Sequence, residues 1–312
     1  MIILLDRLTL DQLRMLIAVA ECGSFQAAAR RLGRVQSAVS QAIQALEFTL
    51  GVAVFERTTK PYGLTDAGRV VLADARHVVR AADTLRARAA GVAEGIEPEL
   101  AIAVEAIFPS DVLMASLRAL AAAFPDLPVT LYTEGLGGPE QRLRDGTARW
   151  AIYATQLTGA VGLESEFLVS IPMVPVVAAG HPLARLPQPL SREVLEPHVQ
   201  LVLTDRTTVT AGLQGGIVGR HIWRFADLGL RLDYLLAGFG WCHMPLHIVA
   251  GHIAAGRLAR LVLAERGETP WHFDLNVVHE RGRPPGRAGT WLIAELRRRL
   301  AACADLAVAA ET

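Results

Sequence analysis

The side chains best placed to do chemistry lie between Arg34 and Lys60. Gln36, Ser37, Ser40, Gln41 and Gln44 are interleaved with Val39, Ile43 and Leu46 at helical spacing. Gln41 and Gln44 therefore stand one turn apart on one face, and a glutamine amide can pair bidentately with the N6 and N7 edge of adenine. Ser37 and Ser40 are short enough to let a backbone come close. Taken alone, such a face is more readily a helix surface in water. Arg34, Arg57, Thr58, Thr59 and Lys60 supply cations and hydroxyls of the kind that grip phosphate oxygens or enter a minor groove. Arg57 has Glu56 and Glu47 as rival partners. Catalytic arrangements are harder to find. His243, His247 and His252 lie near Cys242, but Pro245 interrupts the helical register a metal pair would need, so no metal is expected. Gly215-Gly216-Ile217-Val218-Gly219 lacks the spacing and the preceding strand of a nucleotide loop, and no Gly-x-Ser-x-Gly elbow occurs. The chemistry is that of recognition: no catalytic residue and no cofactor is expected.

These residues must be held by short helices. Thr9 and Gln12 have capping-box spacing, and Leu10, Leu13, Leu16, Ile17 and Ala20 then form an apolar stripe. Gly23 stops that helix and Ser24 can cap a second one through Phe25, Ala28, Ala29 and Leu32. After Gly33 a third helix is expected from about Gln36 to Leu50, stopped by Gly51. Two helices joined by a tight glycine turn make a helix-turn-helix. Val52–Phe55 reads as a strand, 57–63 as a loop and Leu64 as the return, which together make a small wing.

From Thr65, a capping residue, apolar positions recur at spacings of three and four: Val70, Val71, Ala75, Val78, Val79, Ala82, Leu85, Ala89 and Val92. A helix of that length, roughly 40 Å at 1.5 Å per residue, has no small domain to lie in, so its stripe is expected to pack on a second copy of itself. Beyond the hinge at Gly95–Pro98 the pattern alternates. Leu100–Val104, Val129–Tyr132 and Trp150–Tyr153 read as strands, separated by helices at Ser110–Phe124 and Pro139–Arg144, the order of a parallel sheet with helices on its faces. A second run follows in segments Pro172–Ala178, Arg192–Leu195, Gln200–Leu203, Leu230–Leu236, Gly240–Met244 and His247–Ala254. A late strand, Thr269–Val278, and a closing helix, Trp291–Leu300, complete the plan of two α/β lobes.

Composition agrees with this division. The 312 residues are 52% hydrophobic and 20% charged, a globular balance, with 31 basic and 31 acidic side chains. Residues 1–95 carry 12 basic and 9 acidic groups, leaving 19 and 22 for the remainder, so the small basic excess lies with the helix-turn-helix. Cys22, Cys242 and Cys303 have no metal-type spacing and are expected as reduced thiols. The apolar run Ile2–Leu5 is ended by Asp6 and Arg7, unlike a signal peptide, and no stretch is long enough to span a membrane. A cytoplasmic location is expected.

The run from Leu10 through Cys22-Gly-Ser-Phe-Gln-Ala-Ala-Ala-Arg-Arg-Leu32 resembles the opening of LysR-type transcriptional regulators. The resemblance continues through Gln36-Ser-Ala-Val-Ser-Gln-Ala-Ile-Gln-Ala-Leu-Glu47, Leu50-Gly-Val-Ala-Val-Phe-Glu-Arg57 and Leu64-Thr-Asp-Ala-Gly68, in order and spacing over about 60 positions. Scattered matches follow at Phe124-Pro-Asp-Leu127, Gly180-His-Pro-Leu-Ala184, Ala237-Gly-Phe-Gly240 with Pro245, and Ala255-Gly-Arg-Leu258. There are departures. Val35 stands where a capping hydroxyl is frequent, at a cost of ~1 kcal/mol; Gln44 and Ala45 stand where arginine is frequent, and Trp150 where an acid is.

The resemblance implies a winged helix-turn-helix over 1–65, a linker helix for dimerisation over 66–94, a periplasmic-binding-protein-like effector domain over 95–303, and a tail over 304–312. The two α/β lobes of that domain are expected at about 95–160 plus 267–303, and at 161–266. Effector contacts are expected between the lobes, where strand ends converge: Ala106, Ile107, Phe108, Thr133 and Leu136 from one side, Leu203, Thr204, Asp205, Phe239 and Trp241 from the other. For each apolar member, core packing is an equal explanation. Ile107 and Leu136 match places where carboxylate-sensing members of the family have hydroxyls, which implies a bulkier or less acidic effector. The partners implied are double-stranded DNA, a small-molecule effector, a second copy through the linker helix, a homotetramer of such dimers that bends DNA and, as an additional contact, RNA polymerase; no membrane is among them. Three alternatives remain open at this point: a regulator that needs no effector, a solute-binding protein and an enzyme.

Overall fold

The computed structural model describes residues 8–56, 63–157, 161–204, 206–207, 209, 216–265, 267 and 271–303. They belong to two compact units that divide between Gly91 and Val92.

The first unit opens with α1 (Leu10–Cys22), α2 (Phe25–Leu32) and α3 (Gln36–Leu50). Thr9 and Gln12 form the capping box, with the Gln12 N–H donating to Thr9 Oγ1 and the Thr9 N–H to Gln12 Oε1. Ser24 Oγ accepts the Ala27 N–H at 3.1 Å and so starts α2. Leu13, Leu16, Val19, Ala28, Val39, Ile43 and Leu46 are buried together, so three amphipathic helices close on one core. The α3 start differs. Val35 occupies its N-cap without any side-chain hydrogen bond, so the helix begins at Gln36 rather than being re-capped further on at Ser37.

The strand expected at Val52–Phe55 is reduced to one antiparallel bridge, Phe55 to Leu64. The reason is local: Glu47 Oε1 takes the Val54 and Phe55 N–H groups at 2.8 and 3.3 Å, which leaves few donors for a ladder. The wing is still tied, by Glu56 N–H to Gly63 O and Thr65 N–H to Val54 O. α4 (Asp66–Ala93) starts where Thr65 Oγ1 accepts the Gly68 N–H at 2.8 Å. A Cβ on Gly68 would lie 2.0 Å from the Val54 carbonyl oxygen, so only glycine lets this first turn rest on the wing's base. Leu72 and Ala75 complete the head's core, and Arg14–Asp83 (2.6 Å) and Arg76–Glu21 (3.6 Å) brace the helix against α1.

In the second unit β1 (Leu100–Glu105), β2 (Val129–Glu134) and β3 (Trp150–Tyr153) run parallel, with α5 (Ser110–Ala123) and α6 (Gly138–Arg144) as crossovers. β4 (Leu163–Ala178) leads into α7 (Arg192–Leu195), β5 (Gln200–Leu203), β6 (Ile222–Phe225), α8 (Leu228–Leu236), β7 (Trp241–Pro245), α9 (Leu246–Ala254) and β8 (Leu258–Arg260). β9 (Trp271–Glu280) and α10 (Arg287–Ala301) follow. The strand order is β2-β1-β3-β9-β4-β7-β5-β6, with β8 on β4. β5 pairs parallel with β6 and β7, whereas β4 pairs antiparallel with β7, β8 and β9.

β4 is longer than expected, beginning at Leu163 instead of Pro172. A register shift between Phe167 and Val169 breaks its apolar alternation, which hides the first half from a periodicity argument. Because β4 pairs with β9 from Leu163–Glu280 to Met173–Trp271, these two strands carry the chain from one half of the sheet to the other. The β6 and β8 strands, four and three residues long, went unexpected, and α10 starts at Arg287 rather than Trp291. Glu97 explains that early start: its carboxylate accepts the Ala288 and Gly289 N–H groups at 3.0 Å each, capping α10 from far upstream.

Candidate nucleic-acid interface and effector cavity

On α3, Val39, Ile43 and Leu46 point inward and Gln36, Ser37, Gln41 and Gln44 are exposed, with Ser40 at the margin. The core thus fixes which flank of the helix faces out. Arg34 is exposed directly before it. An uncapped N-terminus leaves backbone N–H groups open there, in a place that favours anions. Arg57, Thr58, Thr59 and Lys60 lie outside the described residues. On the same helix Val35 and Phe48 are 68% and 76% exposed, apolar groups that the polar pattern had not brought into view.

Past its packed start, α4 displays Val78, Leu85 and Val92, 47%, 69% and 49% exposed. Those are members of the stripe read from the sequence, and no described residue covers them.

Within the second unit a cavity of about 220 Å³ lies between the two halves of the sheet. Ile107 and Leu136 line it from one side, Leu203 and Thr204 from the other, so the structure brings together these four of the expected residues. The others go elsewhere. Phe108 is 4% exposed and sits in the core under β1, and Trp241 is wholly buried beside Val177, Leu183 and Leu190. Phe239 lies in a surface aromatic group with Trp223 and Tyr234. Ala106 and Thr133 are bound into the β1–β2 region by Ala106 N–H to Glu134 O and the Thr133–Val104 pairing, outside the cavity's lining. Asp205 lies outside the described residues.

Residues absent from the sequence reading do most of the shaping. Glu105, 1% exposed at the end of β1, faces the cavity, and its Oε1 accepts the Leu136 N–H at 3.0 Å. Arg231 of α8 is 5% exposed; its Nε donates to the Leu201 carbonyl (3.1 Å) and its Nη2 to the His243 carbonyl (2.7 Å). Gln200 organises the wall opposite, donating to Gly216 O and accepting from Val218 and Gly219 N–H. The floor is Met173 with the rings of His243, Trp271 and Phe273, packed edge to face at 6.2 and 5.4 Å. A charged residue inside an apolar helix (Arg231) and one closing an apolar strand (Glu105) are the signals that would have found them.

The rival chemistry gains no support from the geometry. Cys242 is fully buried, and burial pushes its thiol up against the opposing pull of Arg231. Burial also holds His247 below the ordinary imidazole value, opposed by Asp111. Among the described residues no three His, Cys, Asp or Glu side chains converge to hold a metal, and no helix is long and apolar enough to cross a membrane. Cys22, Cys242 and Cys303 are free thiols.

Comparison with known proteins meets both halves of the chain. The family "Bacterial regulatory helix-turn-helix protein, lysR family" matches residues 10–69, and "LysR substrate binding domain" matches 93–301. The "Probable HTH-type transcriptional regulator YhaJ" of Escherichia coli K12 is 32% identical over 294 residues, 93% of this chain and 96% of its own. The "HTH-type transcriptional regulator AceR" of Acinetobacter baumannii is 29% identical over 75% of this chain and 78% of its own. Among solved structures, the Corynebacterium glutamicum OxyR C206 mutant superposes with a TM-score of 0.60 at 24% identity, covering 96% of this chain and 95% of its own, which supports the fold. A helix-turn-helix whose polar flank the core turns outward, followed by an α/β domain with a cavity, coincides with the residues the two families match: this chain belongs to the LysR family and is a DNA-binding transcription regulator with an effector-sensing domain.

Proposed function

We propose that α3 reads operator bases through Gln41 and Gln44 in the major groove, while Ser37, Ser40, Gln36 and Arg34 hold the phosphate backbone. The carrying observation is the exposed amide row on α3, whose opposite face is locked into the core. Arg57–Lys60 extend the phosphate contacts from the wing, a reading that rests on sequence alone. A single such helix reads too few bases to find a site in a genome, so dimers form through α4, pairs of dimers form a tetramer, and DNA is bent between their sites. The protein works in the cytoplasm, without catalysis, and touches RNA polymerase at its promoters. The cavity at Ile107, Leu136, Leu203 and Thr204 is the effector site, and a well-formed cavity favours a sensing regulator over an effector-independent one. A bound effector shifts the population of closures between the two halves and thereby the spacing of the DNA-binding heads.

The test is fluorescence anisotropy on fragments of the native genome's promoters, including that of the protein's own gene, at several salt concentrations. Affinity should fall steeply with salt. Gln41→Ala should erase the preference for an operator over random DNA, whereas Arg34→Ala should weaken both about equally and flatten the salt slope by about one charge. Absence of salt-sensitive binding to any promoter would defeat the reading.

A further inference from the structure

We infer that the effector is an anion, an apolar body carrying a carboxylate or phosphate group, with that group seated on Arg231 and drawn in past Arg224 at the cavity's margin. The inference rests on the cavity being the effector site, and adds the charge that site selects.

Arg231 carries the argument. It stands in α8 among Leu228, Leu230, Leu232 and Leu235, yet it is 5% exposed and lines the cavity. Its Nε and Nη2 donate to the Leu201 and His243 carbonyls, and the Cys242 thiol lies against it. A guanidinium has five N–H donors and a full positive charge. Neutral carbonyls satisfy donors without cancelling that charge. Buried charges are as a rule paired, because the solvation lost with water has to be replaced. Among the described residues no carboxylate pairs with Arg231. An anionic ligand would be the missing partner.

A second cation belongs to the same half of the sheet. Arg224 of β6 lines the cavity where it meets solvent, again without a carboxylate partner among the described residues. An exposed positive charge at the mouth raises the local concentration of anions. Gln200, also of this half, is taken up by Gly216, Val218 and Gly219. Ile107 and Leu136 offer an anion no hydroxyl, but they stand on the other half with Glu105, whose Oε1 holds the Leu136 N–H. The missing hydroxyls therefore concern a wall that the charged group does not use. With Met173 and Phe273, Ile107 and Leu136 supply apolar surface for the body of the ligand. On the arginine side a carboxylate or phosphate makes charge-assisted hydrogen bonds, about twice as strong as those of a neutral group of the same shape.

The experiment is isothermal titration calorimetry on the full-length protein with three anions (benzoate, hexanoate and phenyl phosphate), the neutral benzamide and hexanamide, and the cation benzylamine. Wild type, Ile107→Trp (which fills the cavity), Arg231→Met and Arg224→Gln are compared, and circular dichroism and thermal melting check that each variant is folded. At least one anion should bind at one site per chain, about tenfold tighter than the amides and benzylamine, and the ranking of the three tells carboxylate from phosphate. Ile107→Trp should abolish that binding. Arg231→Met should bring anion and amide to within about threefold of each other; Arg224→Gln should weaken the anion about threefold, since an exposed charge is screened. Equal weakening of anion and amide by Arg231→Met would make Arg231 a brace between β5 and β7 and overturn the inference. If an amide or benzylamine binds as tightly as the anions and Ile107→Trp blocks it, the cavity is the site and the charge is wrong. If an anion binds equally to folded Ile107→Trp, the effector site lies elsewhere and both readings fall. Absence of binding by all three anions at millimolar concentration also overturns the inference. Should Ile107→Trp misfold, Met173→Trp serves as the filling variant. Should Arg231→Met misfold, Arg224→Gln alone must weaken the anion and spare the amide, failing which the inference falls.

Discussion

The backbone N–H of Leu136 donates to Glu105 Oε1 at 3.0 Å, and Leu136 holds a left-handed φ of 52°, unique to it among the described non-glycine residues. A leucine in that region costs about 1–2 kcal/mol, so the turn after β2 persists because its surroundings hold it there. The buried carboxylate at the end of β1 is one such constraint, and both residues line the cavity.

Removing the carboxylate should therefore expose the strain. Glu105→Ala leaves the Leu136 N–H without this acceptor and is expected to destabilise the protein by about 1–3 kcal/mol, the range for a buried donor that loses its partner. Glu105→Gln keeps an oxygen in place and should cost less. In a Leu136→Gly background the turn needs no such constraint, so the Glu105→Ala penalty should shrink by about 1 kcal/mol. Urea denaturation of the four proteins in this cycle measures the coupling; strict additivity would show that Glu105 does not hold the turn.

This pair also shows where sequence reading stops. The helices of the head were legible because Thr9, Ser24, Gly23, Gly33 and Gly51 act within a few residues of the backbone they cap or release. Ile107 and Leu136 were reachable as residues following parallel strands, where α/β sheets open their crevices. Glu105, Arg231 and Gln200 were not, because each serves backbone groups distant in sequence: Leu136 is 31 residues from Glu105, and Leu201 is 30 from Arg231. Phe108 and Trp241 show the converse. Both sit near strand ends, but hydrophobicity drew them into the core, and nothing local marks that choice.

The bare N-cap of α3 offers a second prediction. Val35 has the extended backbone of a cap, with φ −80° and ψ 147°, and lacks only the oxygen. Val35→Ser should add a bond to an open N–H and stabilise the head by about 1 kcal/mol. The same change removes an exposed apolar group from the N-terminal end of α3, the end proposed to face the bases, where a thymine methyl would be its natural contact. The melting temperature should rise while preference for thymine at one operator position relaxes. A melting temperature that stays level or falls would mean that another group already satisfies those donors.

Dimer formation through α4 makes a third. Val78 and Leu85 are seven residues apart, two turns on one face, and both are more than 45% exposed in the single chain. Glutamate at both positions would place charges inside a helix–helix seam, where an apolar pair is worth several kcal/mol. The double variant should be monomeric by light scattering at concentrations where the wild type is not, and should lose operator binding in parallel. The head itself should remain folded, since its core ends at Leu72, Ala75 and their half-buried neighbours Val71 and Val79. Dimers of unchanged strength would remove α4 from the interface.

The last prediction concerns pH. His247, in the first turn of α9, is kept below the ordinary imidazole value mainly by burial, with Asp111 of α5 acting in the opposite sense. His181 is shifted the same way, by burial and by the neighbouring His198 ring 5.2 Å distant. The folded chain therefore holds both rings neutral at a pH where the unfolded chain has begun to protonate them. Stability from these two sites is complete above about pH 6.5 and is lost as the pH falls below it, because the unfolded state then binds protons that the folded state refuses. Urea midpoints should drop between pH 7.5 and pH 5.5 in the wild type. In His247→Leu the drop should be smaller, because one of the two proton-refusing sites is gone and the apolar side chain suits the buried place. An equal drop in both proteins would mean that the His247 ring takes its proton in the folded state, facing Asp111, as readily as it does in the unfolded chain.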